Sequence, residues 1–448
     1  MLEKLDLRDI PIKKTENDLL NINKYADALI QFIYESETPF TISLQGEWGS
    51  GKTSLMNMIS DELCDEEKEN HFESIWVNTW EFFINNNDEE SLERVIEEIT
   101  NKILKIAKEK TNTKEYEINE FKNSILKLTK SGLNIAMSAI GADDLARTDT
   151  MNAFSNKLTI ISHLRNSLEK LVNELVEKDN QVSNKGFIIF IDDLDRIDPE
   201  IAVRLLEIFK NIFDIEKCIF VLAIDYDVIV KGLSRKYGDY SINNDKFYRA
   251  YFDKLIQLPF AMPVSNYKID NILLESLTTI GYFSDKDLEN NVSFNYLLNV
   301  IESSIGKNPR RIKRLINSVK LTQIMDKINS NVLVDADMKI LNIMFICVQL
   351  AYPSLYNLLV KKPNFRSWEY DLEGENVNNR FSESWKNHLY EIVLNDELLN
   401  DNITNIINVF ENIDNALWAK SNINELINRV LTLSKFTNIS SVNKSSPY

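Results

Sequence analysis

The residues Gly46-Glu47-Trp48-Gly49-Ser50-Gly51-Lys52-Thr53 follow the spacing GxxxxGK[ST]. Glycine in such a run lets the backbone turn successive N–H groups inward, onto phosphate oxygens. A helix starting at its end aims a positive terminus at the same oxygens. The expected binding segment is Gly46, Glu47, Trp48, Gly49, Ser50, Gly51, Lys52, Thr53 and Ser54. Lys52 would reach the β- and γ-phosphates, and Thr53 would offer its hydroxyl to a magnesium ion.

A second run, Phe187 to Ile191, ends in Asp192-Asp193. A buried strand of this kind delivers carboxylates to its C-terminal edge, where ligands bind in open α/β sheets. Asp192 is the expected metal ligand, acting through water. Asp193 is expected to orient or deprotonate an attacking water, and Asp195 competes for that role. Asp225 ends the next apolar run. Two readings stand for it: a group beside the γ-phosphate that positions water, or the cap of a helix starting near Tyr226.

The clearest basic cluster runs from Gly306 to Leu315, with Asn308 capping and Pro309 starting a helix. Ile312, Leu315, Ile316 and Val319 form its buried face. Three readings compete: an arginine on the nucleotide phosphate (Arg310 or Arg311), a nucleic-acid patch, or a solvated basic face. The first is favoured, because the helix follows the nucleotide core directly. Arg249 and Lys254 are alternative cationic contacts.

These residues need elements to hold them. Residues 20–36 carry apolar positions at helical spacing, and FTISLQ (40–45) alternates like a strand. Thr53 to Leu63 is again helical. SIWVNTW (74–80), GFIIFID (186–192), CIFVLAID (218–225) and LIQLPF (255–260) read as further strands, alternating with helices. That alternation predicts an α/β fold with a parallel sheet. Between Glu89 and Lys178 the pattern is helical, with Ser131 to Thr150 read as a loop. Beyond Val264 the strand signals fade into helices, and 361–385 is loop-like and polar.

The chain has 448 residues, a prior of about three domains. It has only 11 glycines. Concentrating Gly46, Gly49 and Gly51 in one short stretch marks a backbone need. The formal net charge of -17 makes nucleic acid a disfavoured partner. Cys64, Cys218 and Cys347 are scattered, against a disulfide framework. His71, His163 and His388 are scattered too, which disfavours zinc and Ser-His-Asp chemistry. Leu341 to Ala351, among the longest apolar runs, is about half a bilayer span. No integral membrane segment and a cytoplasmic location are therefore expected.

GEWGSGKTSL (46–55), the strand ending Asn78-Thr79-Trp80, FIIFIDDLDRI (187–197), FVLAIDYDVI (220–229), YFDKLIQLPFAMP (251–263) and NPRRIKRLIN (308–317) together resemble the KAP family of P-loop NTPases. The resemblance covers residues 9–325. It implies a P-loop core of the additional-strand type, with a strand between those that carry the phosphate loop and Asp192. It also implies ATP hydrolysis with magnesium and a helical insertion between Trp80 and Phe187. Many members carry transmembrane helices in that insertion, whereas Ser131 to Thr150 is too short and polar to span. Bacterial members are associated with phage exclusion and defence.

The expected organisation is residues 1–80 as the first part of the core, 81–185 as the insertion, 186–264 as the second part, 265–325 as a helical lid and 326–448 as an all-α C-terminal domain. The expected function is magnesium-dependent ATP hydrolysis driving a conformational switch, within a homo-oligomer or with a protein trigger or effector. The alternative is a nucleotide-binding scaffold with little turnover. A small-molecule kinase is disfavoured by the paired aspartates and the long insertion.

Overall fold

The computed structural model describes residues 11–12, 18, 20–68, 70–84, 88–110, 162, 164–176, 184–238, 245–284, 292–328, 335–366, 368, 389, 402–417, 427–428 and 431. The loop expected over Ser131 to Thr150 lies outside them, as does most of 361–385. The described chain divides into two compact units, one built around Ile22–Pro263 and the other from Val264 onward with Leu20 and Asn21.

The first unit is built on a parallel five-stranded sheet. Its strands are β1 (Phe40–Gln45), β2 (Glu73–Asn78), β3 (Phe187–Asp192), β4 (Cys218–Ile224) and β5 (Leu258–Ala261), in the order β2-β3-β4-β1-β5. Strand β4 thus lies between the strand that feeds the glycine loop and the one that ends in Asp192. Every residue of β4 is buried, as are Phe187 to Ile191 in β3. Helices on both faces of a parallel sheet select such continuous apolar runs. The edge strands are half exposed, and one of them, β5, tolerates Pro259, which has no N–H to donate.

Helix α1 (Asn23–Glu35) buries Ala26, Leu29 and Ile33, and α2 (Lys52–Leu63) follows the glycine loop. Two strand ends differ from expectation. The strand over 74–80 stops at Asn78, whose side-chain oxygen accepts from the Trp80 amide and starts α3 (Thr79–Phe83). The strand over 255–260 begins only at Leu258, because Leu255 still belongs to the helix Asp245–Leu255.

Between β2 and β3 the chain forms α4 (Asp88–Lys110) and a helix over 164–176. Leu92, Val95, Ile96, Ile99 and Ile103 of the former share one buried cluster with Leu164, Leu168 and Leu175 of the latter and with Ile75, Val77, Ile189 and Ile191 of the sheet. Fully burying each such side chain favours folding by about 1.5–3 kcal/mol. Past β3, Asp198 caps and Pro199 opens the helix Pro199–Ile212, as expected.

The second unit is helical among its described residues, with Ile269–Thr279, Val292–Ser304, Pro309–Ile328, Ala336–Ala351, Pro353–Lys361 and Ile403–Leu417. Asn308 accepts from the Arg310 amide at 3.1 Å, and Ile312, Leu315, Ile316 and Val319 are buried as the spacing predicts. The apolar run from Leu341 is the buried helix Ala336–Ala351, enclosed on all sides. No described helix is long and apolar enough to cross a membrane.

Candidate functional site

The site forms where β1, β2, β3 and β4 end along one edge of the sheet. The loop leaving β1 uses its glycines in two ways. Gly49 and Gly51 have φ of 84° and 99°, the left-handed region that side chains strain to enter. Gly46 instead answers a close approach: a Cβ there would lie 2.8 Å from Ser50 Oγ and 3.1 Å from the Met262 side chain. Met262 is brought there by strand pairing, since its amide donates to the Gln45 carbonyl at 2.7 Å. The N-terminus of α2 has left-handed Gly51 as its cap residue and no side-chain cap among the described residues. A cradle that a Cβ would fill, ahead of a helix start with no side-chain cap, fits a phosphate chain.

Lys52 is buried. Its ammonium donates to the Gly46 carbonyl at 2.6 Å and to the Asp195 carboxylate at 2.9 Å. Thr53 Oγ1 donates to Asp192 Oδ2 at 2.7 Å. The hydroxyl of Ser54 turns the other way and accepts from the Ile12 amide at 3.1 Å.

The register of β2 against β3 sets Asn78 opposite Asp192. Thr79 Oγ1 donates to the Asp192 carbonyl at 2.9 Å, and Asp192 Oδ1 accepts from the Asp193 amide at 2.8 Å. Asp193 has φ of 60°, a left-handed position that a short polar residue tolerates. Its carboxylate accepts from Arg196 Nε at 2.8 Å and from the Asn78 side chain. Burial, then the neighbouring Asp192 charge, pushes the Asp193 carboxyl above the ordinary range. Arg196 also lies over the ring of Trp48, 5.3 Å from its centroid.

Asp225 takes the capping reading. It accepts from the Asp227 amide at 3.1 Å and caps the helix Tyr226–Tyr237. It follows β4 directly at this edge, and burial raises its pKa.

Asp195 thus pairs with Lys52 and Asp193 with Arg196, while Asp192 lies beside Asp193 and Asp225 follows β4. Among the described residues no group of three or more His, Cys, Asp or Glu side chains could hold a metal. The Thr53–Asp192 oxygen pair fits magnesium, which keeps several waters and takes phosphate oxygens as ligands.

The candidates outside this edge are located as follows. Arg310 and Arg311 stand on the helix Pro309–Ile328 of the second unit, and Arg311 Nη1 donates to the Ile305 carbonyl at 3.4 Å. Arg249 and Lys254 are exposed on the helix Asp245–Leu255. Asn78, Thr79 and Arg196 are site residues whose roles sequence reasoning missed. The signal for Arg196 was its place in the Asp192-Asp193-Leu194-Asp195-Arg196 string.

A family model described as KAP family P-loop domain matches residues 22–325. The chain belongs to the KAP family of P-loop NTPases. The phage T7 exclusion protein of Escherichia coli (strain K12) is 21% identical over 242 residues, which are 51% of this chain and 30% of that protein. This KAP chain thus aligns with under a third of that relative's length. AMPPCP-bound DnaA from Aquifex aeolicus aligns with 96% of this chain and 98% of its own, at 13% identity and a TM-score of 0.33, a likeness too slight to carry an argument.

Proposed function

We propose that the protein hydrolyses ATP with magnesium, and that nucleotide turnover drives a conformational switch in a phage-defence type protein. The observation that carries the reading is the Thr53–Asp192 hydrogen bond beside the buried Lys52. It joins the glycine loop to the end of a strand far away in sequence, where a metal–phosphate complex needs both.

Thr53 and Asp192 would hold the magnesium ion. Magnesium, when bound, neutralises charge on the phosphate oxygens. The amides of the Gly46–Ser54 loop and the positive end of α2 bind the phosphates. Lys52 exchanges the Asp195 carboxylate for β- and γ-phosphate oxygens. Asp193 orients a water and takes its proton as the water oxygen bonds to the γ-phosphorus. The bond from that phosphorus to the β–γ bridging oxygen breaks, and ADP leaves with the electron pair. The raised Asp193 pKa brings the group nearer the working pH of a general base. Asp225 positions the water.

A cation on the γ-phosphate would come from Arg310 or Arg311, with Arg249 and Lys254 as the alternatives, from the same chain or another copy. Mixing Lys52→Ala protein with protein carrying both arginines as alanine distinguishes these: recovered turnover means a contact between copies. A homo-oligomer, a cytoplasmic location and a protein trigger or effector meeting the helical regions complete the proposal. The phage-defence element rests on the likeness to the phage T7 exclusion protein.

The test is phosphate release from ATP by pure protein, with and without magnesium, alone and with phage components added. Release that needs magnesium and Lys52 supports the reading. No release under any condition, with cellular protection intact in Lys52→Ala, ends it. The Lys52–Asp195 pair also suits a nucleotide-binding scaffold with little turnover. Tight ATP binding with negligible hydrolysis, unchanged in Asp193→Asn, would favour that second reading.

A further inference from the structure

Arg196 takes no part in the reaction steps above, yet it contacts both the glycine loop and one of the paired aspartates. The residue sits on a short 3-10 turn, Leu194–Arg196, directly after β3. One edge of its guanidinium donates from Nε to Asp193 Oδ1 at 2.8 Å. Its central carbon lies over the indole ring of Trp48, 5.3 Å from the ring centroid. Trp48 belongs to the glycine loop and is 60% exposed, so a core-packing role does not explain its ring.

Asp193 is held by several constraints at once. Its backbone is left-handed at φ 60°, its amide is bound to Asp192 Oδ1 at 2.8 Å, and Asn78 and Arg196 bind its carboxylate. A residue in a sparsely populated backbone region persists where its surroundings over-determine it. Of the side chains that bind its carboxylate, Arg196 also reaches the glycine loop, at Trp48. A guanidinium suits the task, because its planar fork can bind a carboxylate by its edge while stacking by its face. A lysine ammonium does only the first.

We propose that Arg196 is a positioning residue that couples the glycine loop, through Trp48, to the carboxylate of Asp193. A phosphate chain entering the loop moves or orders Trp48. The guanidinium over the ring transmits that change, and Asp193 is set for the attacking water only when the loop is filled. The inference rests on the reading of Asp193 as the base and deepens it. Arg196 acts through Asp193 and need not touch the nucleotide.

The experiment compares wild type with Arg196→Gln, Arg196→Lys, Trp48→Phe, Trp48→Ala and the Trp48→Ala/Arg196→Gln pair. It measures kcat and KM for ATP, the Kd of a non-hydrolysable ATP analogue, and indole emission. Arg196→Gln is expected to lower kcat by about 10-fold or more, with Kd within about threefold of wild type. Arg196→Lys should recover part of that kcat, since it keeps the charge but not the stacked plane. Trp48→Ala should fall toward Arg196→Gln, with Trp48→Phe between Trp48→Ala and wild type. The double variant should be no slower than Arg196→Gln, since the two act as one unit.

The emission arm reads the coupling without turnover. The Trp48 signal is the difference between wild type and Trp48→Phe. The analogue should change it in wild type and change it less than half as much in Arg196→Gln at saturation. Wild-type protein that binds the analogue but releases no phosphate sinks the hydrolytic reading while leaving this arm to decide the coupling. A kcat within about twofold of wild type in Arg196→Gln, additive losses in the double variant, or an unaltered Trp48 response in both Arg196 variants each overturn the proposal. Should Arg196→Gln fail to fold, Arg196→Lys carries the same decision: full wild-type kcat and response overturn it.

Discussion

The sheet edge that carries Lys52 and the helix that carries Arg310 are built on opposite terms. At the edge, Asp192, Asp193, Asp195 and Asp225 meet Lys52 and Arg196, drawn from strand ends far apart in sequence. On the helix Pro309–Ile328, Arg310, Arg311 and Arg314 come from one short run, around a buried face of Ile312, Leu315, Ile316 and Val319. The edge joins its charged groups in pairs, Lys52 with Asp195 and Arg196 with Asp193. The helix start sets its cations around a core stripe. A parallel sheet brings distant residues together at its C-terminal edge, whereas a single helix keeps its neighbours in sequence. The difference argues that chemistry belongs to the edge and that most of the helix serves packing.

Four changes would break or sharpen that contrast. The largest effect is expected at Lys52→Ala, which should cut magnesium-dependent phosphate release per folded molecule by about 10²–10³-fold. A loss of folding instead would make Lys52 a structural residue and erase the contrast. The helix should respond the other way. Leu315→Ala should destabilise its unit by about 2–5 kcal/mol in denaturant melts, because a fully buried side chain leaves a cavity. A variant as stable as wild type would mean the stripe is not core.

A smaller loss, about 1 kcal/mol, is expected for Asn308→Ala, which removes the acceptor of the Arg310 amide. Its measure is the same melt, and its kcat per folded molecule should not change.

The smallest effect concerns pH. The Asp193 pKa is raised in the folded protein, chiefly by burial and then by Asp192. Its neutral form is therefore favoured by folding. That contribution is complete below the ordinary carboxylate range and is lost as pH rises through the raised value. Asp193→Asn keeps a neutral side chain at every pH. It should melt higher than wild type at neutral pH, with the gain shrinking as the pH falls into the acid range. A gain of equal size at both ends would remove the electrostatic account.

Parts of this were legible from local pattern. FTISLQ, FIIFID and CIFVLAI are strands within a residue of their expected bounds, since continuous or alternating apolar runs leave little choice. Asp198-Pro199 and Asn308-Pro309 start helices because capping is a matter of adjacent residues. Other features were not legible. Thr79 and Trp80 look as strand-like as Val77, yet the Asn78 side chain takes the Trp80 amide and turns the chain. Leu255 and Ile256 fit either a helix end or a strand start, and packing decided.

The sequence by itself determined that a phosphate-binding loop exists, that a strand ends in paired aspartates, and that the chain belongs with the KAP proteins. Each of these is a matter of residue type at fixed spacing. Only the tertiary structure decided which aspartate meets which cation. Asp195 goes to Lys52 and Asp193 to Arg196, while Asp192 receives the Thr53 hydroxyl. Aspartates separated by one or two positions are chemically alike. The register of β2 on β3, the left-handed turn at Asp193 and the strand order around β4 give them different neighbours, and those are long-range properties of the sheet.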